Sequence, residues 1–337
     1  MRILHVTECF DGGVSRAIEA LVTLAPEHHH SLTYIGDETP SEQFVSSTRM
    51  PLNIPRALKH IRDEVKRLDI DIVHAHSSWA GVFTRVQKLK VPVIYEPHCY
   101  AFEMGSGLRS RFYFAAESLL ARRTAVTVVL SEHERRLARK LRATSKTVFL
   151  PNVPSITEDE LTALPPTWNR ERTVVMVGRV TAQKDPEHFA RLARTIYERD
   201  SSVGFRWVGA GSDDRSLHVL RDAGVEVTGW LGAADLAGEL AKSGMYYHSA
   251  RYEGFPLSVL DAARTGTPIV VRAIAPFEGT GLVSAHSINE AADKILAGLA
   301  ETNIAESYVA AGTELLQKMN EATQRRALQE LYQAGWR

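Results

Sequence analysis

Residues 173–198 read TVVMVGRVTAQKDPEHFARLARTIYE and contain a strand, a loop and a helix in one run. The opening segment, Thr173–Val177, is β-branched and apolar, which predicts a buried strand. A loop follows from Gly178, and Pro186 suits the first position of a helix, where the missing N–H of proline costs nothing. A strand followed by a helix is the repeating unit of a parallel α/β sheet.

The same alternation covers almost the whole sequence and predicts an α/β protein with two parallel sheets. The strands predicted for the first sheet are Arg2–Thr7, Leu32–Ile35, Asp71–Ala75, Val91–Tyr95, Ala125–Leu130 and Thr147–Leu150. Those predicted for the second sheet are Thr173–Val177, Gly204–Val208, Val225–Thr228, Met245–His248 and Pro268–Val271. Ligands of such sheets bind beyond the carboxyl ends of the strands, so we expect the functional residues in the loops that follow strands.

The length of 337 residues suits two domains, and the prolines indicate where they divide. We predict an N-terminal domain over residues 1–152, a linker over 153–170 and a C-terminal domain over 171–315. The final stretch, residues 316–337, is predicted to be a helix that crosses back to the N-terminal domain.

Composition excludes several classes of protein. The 40 basic and 40 acidic residues cancel, which argues against a nucleic-acid binder and against an acidic tail. The two cysteines, Cys9 and Cys99, cannot build a disulfide framework, and no C-x-x-C pair suggests zinc. No apolar run approaches the ~20 residues of a membrane span, and the sequence does not open as a signal peptide. We therefore expect a cytoplasmic protein with reduced thiols.

Three glycine-containing loops follow predicted strands. Gly12 and Gly13 allow a ligand to approach the backbone before a helix, although a tight turn explains them equally well. Arg179 and Lys184 can converge on a diphosphate, or they can be two solvated cations. The G-x-G that begins at Gly209 is by itself better explained as a turn.

A fourth loop gives the sharpest signal, because residues 249–268 read SARYEGFPLSVLDAARTGTP. Glu253 follows a predicted strand, and Pro256 suits the start of a helix. The free amides of the two residues after this proline would then form a site for a diphosphate. Asp261, one to two turns further along, could accept hydrogen bonds from a sugar diol, or could simply be an acidic residue that stabilises the helix dipole.

In this order and spacing the segments resemble the retaining glycosyltransferases of family 4, among the group 1 glycosyltransferases. The resemblance runs from Gly12-Gly13 through DIVHAH at residues 71–76 and Gly178-Arg179 to Glu253 and Asp261. It implies the GT-B fold, in which two Rossmann-like, doubly wound domains face each other across a cleft. Two positions depart from the usual family pattern: Asp261 replaces a glutamate, and Pro151-Asn152-Val153 replaces Pro-Asn-Gly.

The resemblance implies a retaining, metal-independent hexosyltransferase that needs no cofactor. Its donor would be a nucleotide-diphosphate sugar, with UDP expected and GDP or ADP as alternatives. Its acceptor would be a glycan or a lipid-linked acceptor, in the synthesis of cell-surface polysaccharide or glycolipid.

The resemblance also implies roles for individual residues. The catalytic set would be His98, Glu253, Arg179 and Lys184, with the two cations neutralising the departing diphosphate. His76 would contact the acceptor. The donor-binding set would be Gly12, Gly13, Gly178, Arg179, Lys184, Gly209, Gly254, Phe255, Pro256, Leu257, Ser258 and Asp261.

Other residues could be mistaken for a metal site. Asp69-Ile-Asp71 has the D-x-D form of metal-dependent glycosyltransferases, but it precedes a strand instead of following one. His74 and His76 lie on one predicted strand, and we expect them on opposite faces, with His76 nearer the ligand. No metal site is predicted.

Charge is balanced overall but not locally. Residues 101–150 contain ten basic and four acidic residues, a net charge of +6. Within residues 108–146, this charge accompanies an apolar helical stripe, made of Leu108, Phe112, Ala115, Ala116 and Leu119. Such a stripe beside arginines could dock on the anionic inner face of a membrane, or it could be ordinary core.

Two other functions remain compatible with this pattern. One is a catalytically silent homologue that binds a nucleotide sugar, and the other is a sugar-nucleotide epimerase on the same fold. Binding to nucleic acid is not expected, because the basic segment lacks the interleaved aromatic residues of an RNA-binding platform.

Overall fold

The computed structural model describes residues 1–141, 146–162 and 170–333. These residues form two compact units. Unit 1 comprises Met1–Val153, Glu253–Phe255 and the chain from Asn320, and unit 2 comprises Pro154–Tyr252 and Pro256–Met319.

Unit 1 is built on a seven-stranded parallel sheet with the order β3-β2-β1-β4-β5-β6-β7. Its strands are β1 Arg2–Thr7, β2 His29–Tyr34, β3 Ser46–Arg49, β4 Ile72–His76, β5 Val93–Glu96, β6 Val126–Val129 and β7 Lys146–Phe149. Its helices are α1 Gly13–Leu24, α2 Ile54–Arg67, α3 Ser78–Arg85, α4 Gly107–Leu120, α5 Glu132–Lys140 and, from the C-terminal part of the chain, α13 Glu321–Gln333.

Unit 2 is built on a six-stranded parallel sheet with the order β10-β9-β8-β11-β12-β13. Its strands are β8 Glu171–Val177, β9 Gly204–Val208, β10 Val225–Gly229, β11 Ser243–His248, β12 Ile269–Arg272 and β13 Val283–Ala285. Its helices are α6 Glu158–Thr162, α7 Pro186–Tyr197, α8 Asp214–Arg221, α9 Ala233–Lys242, α10 Leu257–Arg264, α11 Ile288–Ala300 and α12 Thr302–Lys318. The prediction of an α/β fold with two Rossmann-like parallel sheets is therefore confirmed.

Alternate residues of the central strands of unit 1 supply two different cores. Leu4 and Val73 face one cluster, whereas Ile3 and Ile72 face the other. The second cluster also includes Tyr332 of α13, and α13 packs against α1. Successive strand residues point to opposite faces, so the parity of a position decides which core it joins.

The structure adds elements that the apolar pattern did not predict. Strand β3 has the polar sequence Ser-Ser-Thr-Arg, and β13 is only three residues long. Part of the predicted linker, Glu158–Thr162, is a short helix without buried residues. The rest of that linker at 163–169, together with residues 142–145 and 334–337, lies outside the described residues.

Candidate active site

Polar side chains gather where β1, β4 and β5 of unit 1 end. In the β1–β4–β5 register His5 aligns with His74, and His76 aligns with Glu96. These positions have the parity of Ile3 and Ile72, so they continue that face of the sheet. The loop after β5 adds one more ring. The resulting cluster consists of His5, His30, His74, His76, Glu96 and His98.

The expectation that His74 and His76 lie on opposite faces is wrong. Their ring centroids are 4.1 Å apart, and both side chains are fully buried. Residues two positions apart on a strand point to the same side, which is the rule that the expectation misapplied. Read correctly, the same rule places His74 and His76 on one face from the sequence alone.

Glu96 holds the centre of this cluster. Its Oε2 lies 3.2 Å from Nε2 of His74 and 3.4 Å from Nδ1 of His76, and its Oε1 lies 3.5 Å from Nε2 of His98. Burial alone would raise the pKa of Glu96, but His98, His74 and His76 hold it well below its usual range. The carboxylate is therefore ionised at neutral pH.

Four of the histidines, His5, His30, His76 and His98, are neutral at that pH. Burial lowers the pKa of His76 to about 3 and that of His30 to about 4. It also holds the pKa of His5 well below the ordinary value and lowers that of His98. A neutral imidazole has one nitrogen that donates a hydrogen bond and one that accepts, so each ring has a defined direction.

The backbone after β4 and β5 adopts left-handed conformations. Ser77 has φ 84°, His98 has φ 50° and Cys99 has φ 105°. Non-glycine residues seldom adopt such angles, and they concentrate at functional sites. The sequence carries no signal for this strain.

Gly254 packs against this strained loop. A Cβ at Gly254 would lie 2.9 Å from the carbonyl carbon of His98 and 3.2 Å from the amide nitrogen of Cys99. Asn152 donates a hydrogen bond of 2.8 Å to the carbonyl oxygen of Phe255. Two residues predicted for the donor, Gly254 and Phe255, are thus placed with buried Glu253 beside His98 within unit 1.

The predicted anion contact at Gly12 and Gly13 has a different partner in the structure. The amide of Gly12 donates to Oε1 of Glu38 at 2.7 Å, and Ser15 donates to the other oxygen of that carboxylate. Glu38 therefore occupies the start of α1, where an anionic ligand was expected. The donor contact at these glycines stays a prediction that requires Glu38 to move.

In unit 2 the loops after β8 and β11 are tied together. The amide of Arg251 donates to the carbonyl of Gln183 at 2.9 Å, and the hydroxyl of Ser249 donates to the carbonyl of Lys184 at 2.6 Å. The stem of Lys184 covers Gly178, where an added Cβ would lie 3.1 Å from Cε. The loop that carries Arg179 and Lys184 is thus held at the carboxyl end of β8.

Gly209 fits the same loop from the neighbouring strand. Trp207 donates a hydrogen bond of 2.8 Å from Nε1 to the carbonyl oxygen of Gly178. That oxygen also faces the Cα of Gly209, where it leaves no room for a side chain. The glycines after β8 and β9 therefore serve the close packing of two loops, which explains them without a ligand.

Asp185 is a buried residue that sequence reasoning missed. Its carboxylate accepts two hydrogen bonds from Arg251, at 2.8 and 3.1 Å, and one from Arg272 at 2.7 Å. Burial alone would raise its pKa, but these two arginines lower the pKa of Asp185 to about 2. The signal was present, since aspartate followed by proline is typical of a helix N-cap.

The start of α10 differs from the expectation at one position. Pro256 is the N-cap, and Leu257 and Ser258 form the first turn, as the diphosphate hypothesis requires. The carboxylate of Asp261, however, is buried and accepts hydrogen bonds from Ser155 and Ile156. The ribose contact of Asp261 stays a prediction, and its observed role is to hold residues 155–156.

Among the described residues, two buried triads bring possible metal-ligating atoms within 4.8 Å of one another. They are His5 with His74 and His76, and His76 with Glu96 and His98. The D-x-D aspartates do not belong to either triad, and both form ion pairs with Arg2. None of the helices in the described ranges is long and apolar enough to cross a membrane.

Two curated bacterial proteins resemble this chain in sequence. An uncharacterised 41.2 kDa protein in the cps region of Klebsiella pneumoniae is 22% identical over 302 residues, which cover 82% of each chain. The UDP-Gal:α-D-GlcNAc-diphosphoundecaprenol α-1,3-galactosyltransferase of Escherichia coli is 28% identical over 230 residues, which cover 61% of this chain and 59% of that protein.

A solved structure and two family models agree with this likeness. HepE of Anabaena in complex with UDP-glucose superposes with a TM-score of 0.80 at 14% identity and covers 99% of this chain and 100% of that one. Residues 12–153 match the model of the glycosyl transferase 4-like domain, and residues 171–301 match that of the glycosyl transferases group 1. The chain therefore belongs to the group 1 glycosyltransferases, with a glycosyltransferase 4-like N-terminal domain and the GT-B fold.

Proposed function

We propose that this chain is a retaining, metal-independent hexosyltransferase that moves a sugar from a UDP-sugar to a glycan or lipid-linked acceptor. The observation that carries the proposal is the cationic loop at the carboxyl end of β8, where Arg179 and Lys184 follow Gly178. Hydrogen bonds to the loop after β11 brace this loop, so both cations belong to a preorganised segment. Preorganised positive charge stabilises a departing diphosphate more than it stabilises the bound substrate.

The choice of UDP and of the acceptor class draws support from the relatives. The E. coli relative is named for UDP-galactose and for a diphosphoundecaprenol-linked acceptor, and HepE was solved with UDP-glucose. The K. pneumoniae relative is a protein of the cps region. These names favour a role in the synthesis of cell-surface polysaccharide or glycolipid.

In this mechanism the residues have distinct tasks. Lys184 and Arg179 neutralise the diphosphate, and the amides of the first turn of α10 hold its oxygens. Glu253 and His98 contact the donor sugar near the reacting carbon. The acceptor hydroxyl attacks the anomeric carbon from the face on which the diphosphate departs, and the leaving phosphate takes the hydroxyl proton, so no enzymic nucleophile is needed. The two cations stabilise the departing diphosphate in place of a metal ion.

The surface of α4 supports docking on an anionic membrane. Leu108, Phe112 and Leu119 are 83%, 70% and 67% exposed, so the stripe is not part of a core. Four exposed arginines lie on this helix or directly after it: Arg109, Arg111, Arg122 and Arg123. An apolar stripe flanked by cations suits the interface of anionic lipids, where a lipid-linked acceptor is found. Arg142, one of the ten basic residues counted in residues 101–150, lies outside the described residues.

The proposal is tested by thermal shift with UDP, GDP, ADP, CDP and dTDP, each with and without EDTA. Ligand at a hundred times its Kd adds about 2.7 kcal/mol of stability, which is readily visible as a raised Tm. We expect UDP to raise the Tm and EDTA to leave the shift unchanged. If none of the five nucleotides raises the Tm, donor binding is contradicted. Turnover of a UDP-sugar without acceptor would favour an epimerase.

A further inference from the structure

Four buried imidazoles form a continuous row through unit 1, which we call the histidine row: His30, His5, His76 and His98. Nδ1 of His30 lies 2.9 Å from Nε2 of His5, and Nδ1 of His5 lies 2.9 Å from Nε2 of His76. Nδ1 of His76 then lies 3.3 Å from Nε2 of His98. Each ring thus offers its Nδ1 to the Nε2 of the next.

One end of the row is anchored to the backbone. Nε2 of His30 lies 2.9 Å from the carbonyl oxygen of Ala25, at the end of α1. A carbonyl oxygen can only accept a hydrogen bond, so this nitrogen must carry the proton. In a neutral ring the other nitrogen, Nδ1, is then an acceptor.

The same argument passes from ring to ring. Because Nδ1 of His30 accepts, Nε2 of His5 must donate, and Nδ1 of His5 accepts in turn. Nε2 of His76 therefore donates, and Nδ1 of His76 accepts from Nε2 of His98. We propose that the carbonyl of Ala25 acts through His30, His5 and His76 to fix His98 as the Nε2–H tautomer, with Nδ1 as its unprotonated nitrogen.

Glu96 competes with the row at one ring. Its Oε2 is 3.4 Å from Nδ1 of His76, so the carboxylate by itself would draw a proton to that nitrogen. Such a proton would reverse His5 as well, and the lone pair of His5 Nε2 would then face the lone pair of His30 Nδ1. The anchor at Ala25 makes this arrangement unfavourable, so the row and not Glu96 decides the tautomer of His76.

His74 lies beside the row without belonging to it. Its Nδ1 is 2.9 Å from the hydroxyl of Tyr332, which can donate to it, and its Nε2 is 3.2 Å from Glu96. Nε2 of His74 is thus the histidine nitrogen nearest to the carboxylate, whose oxygen Oε1 lies 3.5 Å from Nε2 of His98. These contacts agree with the direction that the row imposes.

The consequence for catalysis rests on the proposed function. A neutral His98 with a free Nδ1 can accept a hydrogen bond from a hydroxyl of the donor sugar. His30, His5 and His76 are then positioning residues, because they act through His98. Their loss would impair use of the sugar more than binding of the nucleotide.

The test is two-bond ¹H–¹⁵N correlation NMR on the full chain with ¹⁵N-labelled histidine. The rings are assigned from single His→Gln variants and recorded at neutral pH with EDTA present. We expect His5, His76 and His98 as neutral Nε2–H tautomers. Once the rings are assigned, a wild-type spectrum in which His76 is the Nδ1–H tautomer, or is charged, would overturn the proposal.

Two variants at His30 separate the anchor from a general packing effect. His30→Phe removes the acceptor for His5, so we expect His5 and His76 to switch to the Nδ1–H tautomer, with His76 directed toward Glu96. His30→Gln keeps an amide oxygen that can accept from His5, and we expect it to restore the wild-type tautomers. Unchanged tautomers in a folded His30→Phe protein would contradict the proposal.

A kinetic experiment uses the same two variants, His30→Phe and His30→Gln. We expect His30→Phe to leave the Kd for UDP unchanged and to lower kcat/KM for the UDP-sugar about tenfold, with recovery in His30→Gln. Failure of the wild-type protein to bind UDP would count against the proposed function alone, since the spectra require no ligand. Equal kcat/KM in wild type and His30→Phe would refute the link to His98.

Discussion

The carboxylate of Asp261 on α10 accepts two hydrogen bonds from Ser155, one from its amide at 2.6 Å and one from its hydroxyl at 2.8 Å. Ile156 adds a third, from its amide at 3.1 Å. Asp261 is 1% exposed, so water cannot take the place of its carboxylate as the acceptor for these donors. The residue predicted for the ribose thus ties residues 155–156 to α10 within unit 2.

We predict that Asp261→Ala lowers the free energy of unfolding by about 2–3 kcal/mol, because two backbone amides lose their buried acceptor. Urea denaturation measures the change, with Asp222→Ala on an exposed surface as the control. Asp261→Asn keeps one acceptor oxygen and should lose less. Wild-type stability of Asp261→Ala would mean that these hydrogen bonds contribute nothing.

A buried ion pair beneath α4 gives a second prediction. Nη2 of Arg85 lies 2.9 Å from Oε2 of Glu117, and Tyr95 donates to the other oxygen at 3.0 Å. Glu117→Ala strands a buried guanidinium, so we expect a loss of about 3–5 kcal/mol in urea denaturation. Glu132→Ala removes the exposed partner of Arg135 and should cost less than about 1 kcal/mol. Similar losses in the two variants would disprove the assignment.

Asp185 should make stability depend on acid pH. Its pKa of about 2 in the folded protein lies below the ordinary value of 3.8, so its contribution is complete above that ordinary value and declines as the pH falls toward 2. We expect the stability difference between wild type and Asp185→Asn to shrink between about pH 5 and the lowest pH at which both fold. A difference that stays constant over this range would show that Arg251 and Arg272 do not lower the pKa.

Membrane docking should depend on the exposed arginines on and directly after α4. Arg123 donates to the carbonyls of Arg85 and Val86, so it is left unchanged. Replacing Arg109, Arg111 and Arg122 with Gln should weaken binding to anionic liposomes by about 3 kcal/mol, or about a hundredfold, at about 1 kcal/mol for each cation.

Co-sedimentation with phosphatidylglycerol vesicles measures this binding. Arg215→Gln with Arg221→Gln, on exposed positions of α8, is the matched control and should bind like wild type. Phe112→Ser tests the apolar half of the surface separately. Undiminished binding by the triple variant would exclude α4 as the docking surface.

The course of the chain could be read from the sequence, whereas several side-chain contacts could not. All eleven strands predicted from apolar runs lie where strands occur, because buried parallel strands need such runs. Strand β3 was not predicted because its sequence, Ser-Ser-Thr-Arg, is polar and lies at the edge of the sheet. Strand β13 was not predicted because three residues are too few to show an alternating pattern. The contacts of Asp261 with Ser155 and of Gly12 with Glu38 could not be predicted, because Ser155 and Glu38 belong to loops whose sequences show no recognisable pattern.

The roles of Lys184 and Glu253 can be separated by kinetics. Lys184→Ala removes a charge from the proposed diphosphate site and should weaken both UDP binding and turnover by about ten- to a hundredfold, because a hydrogen bond to a charged group is worth about 1.5–3 kcal/mol. Glu253→Gln keeps the shape of a buried side chain beside the His98 loop. It should lower kcat by about 10²–10³ with little change in the Kd for UDP. Lys318→Ala, at an exposed position of α12, is the control for charge alone. Calorimetry with UDP and a transfer assay measure the two quantities, and wild-type turnover by Glu253→Gln would remove that residue from the catalytic set.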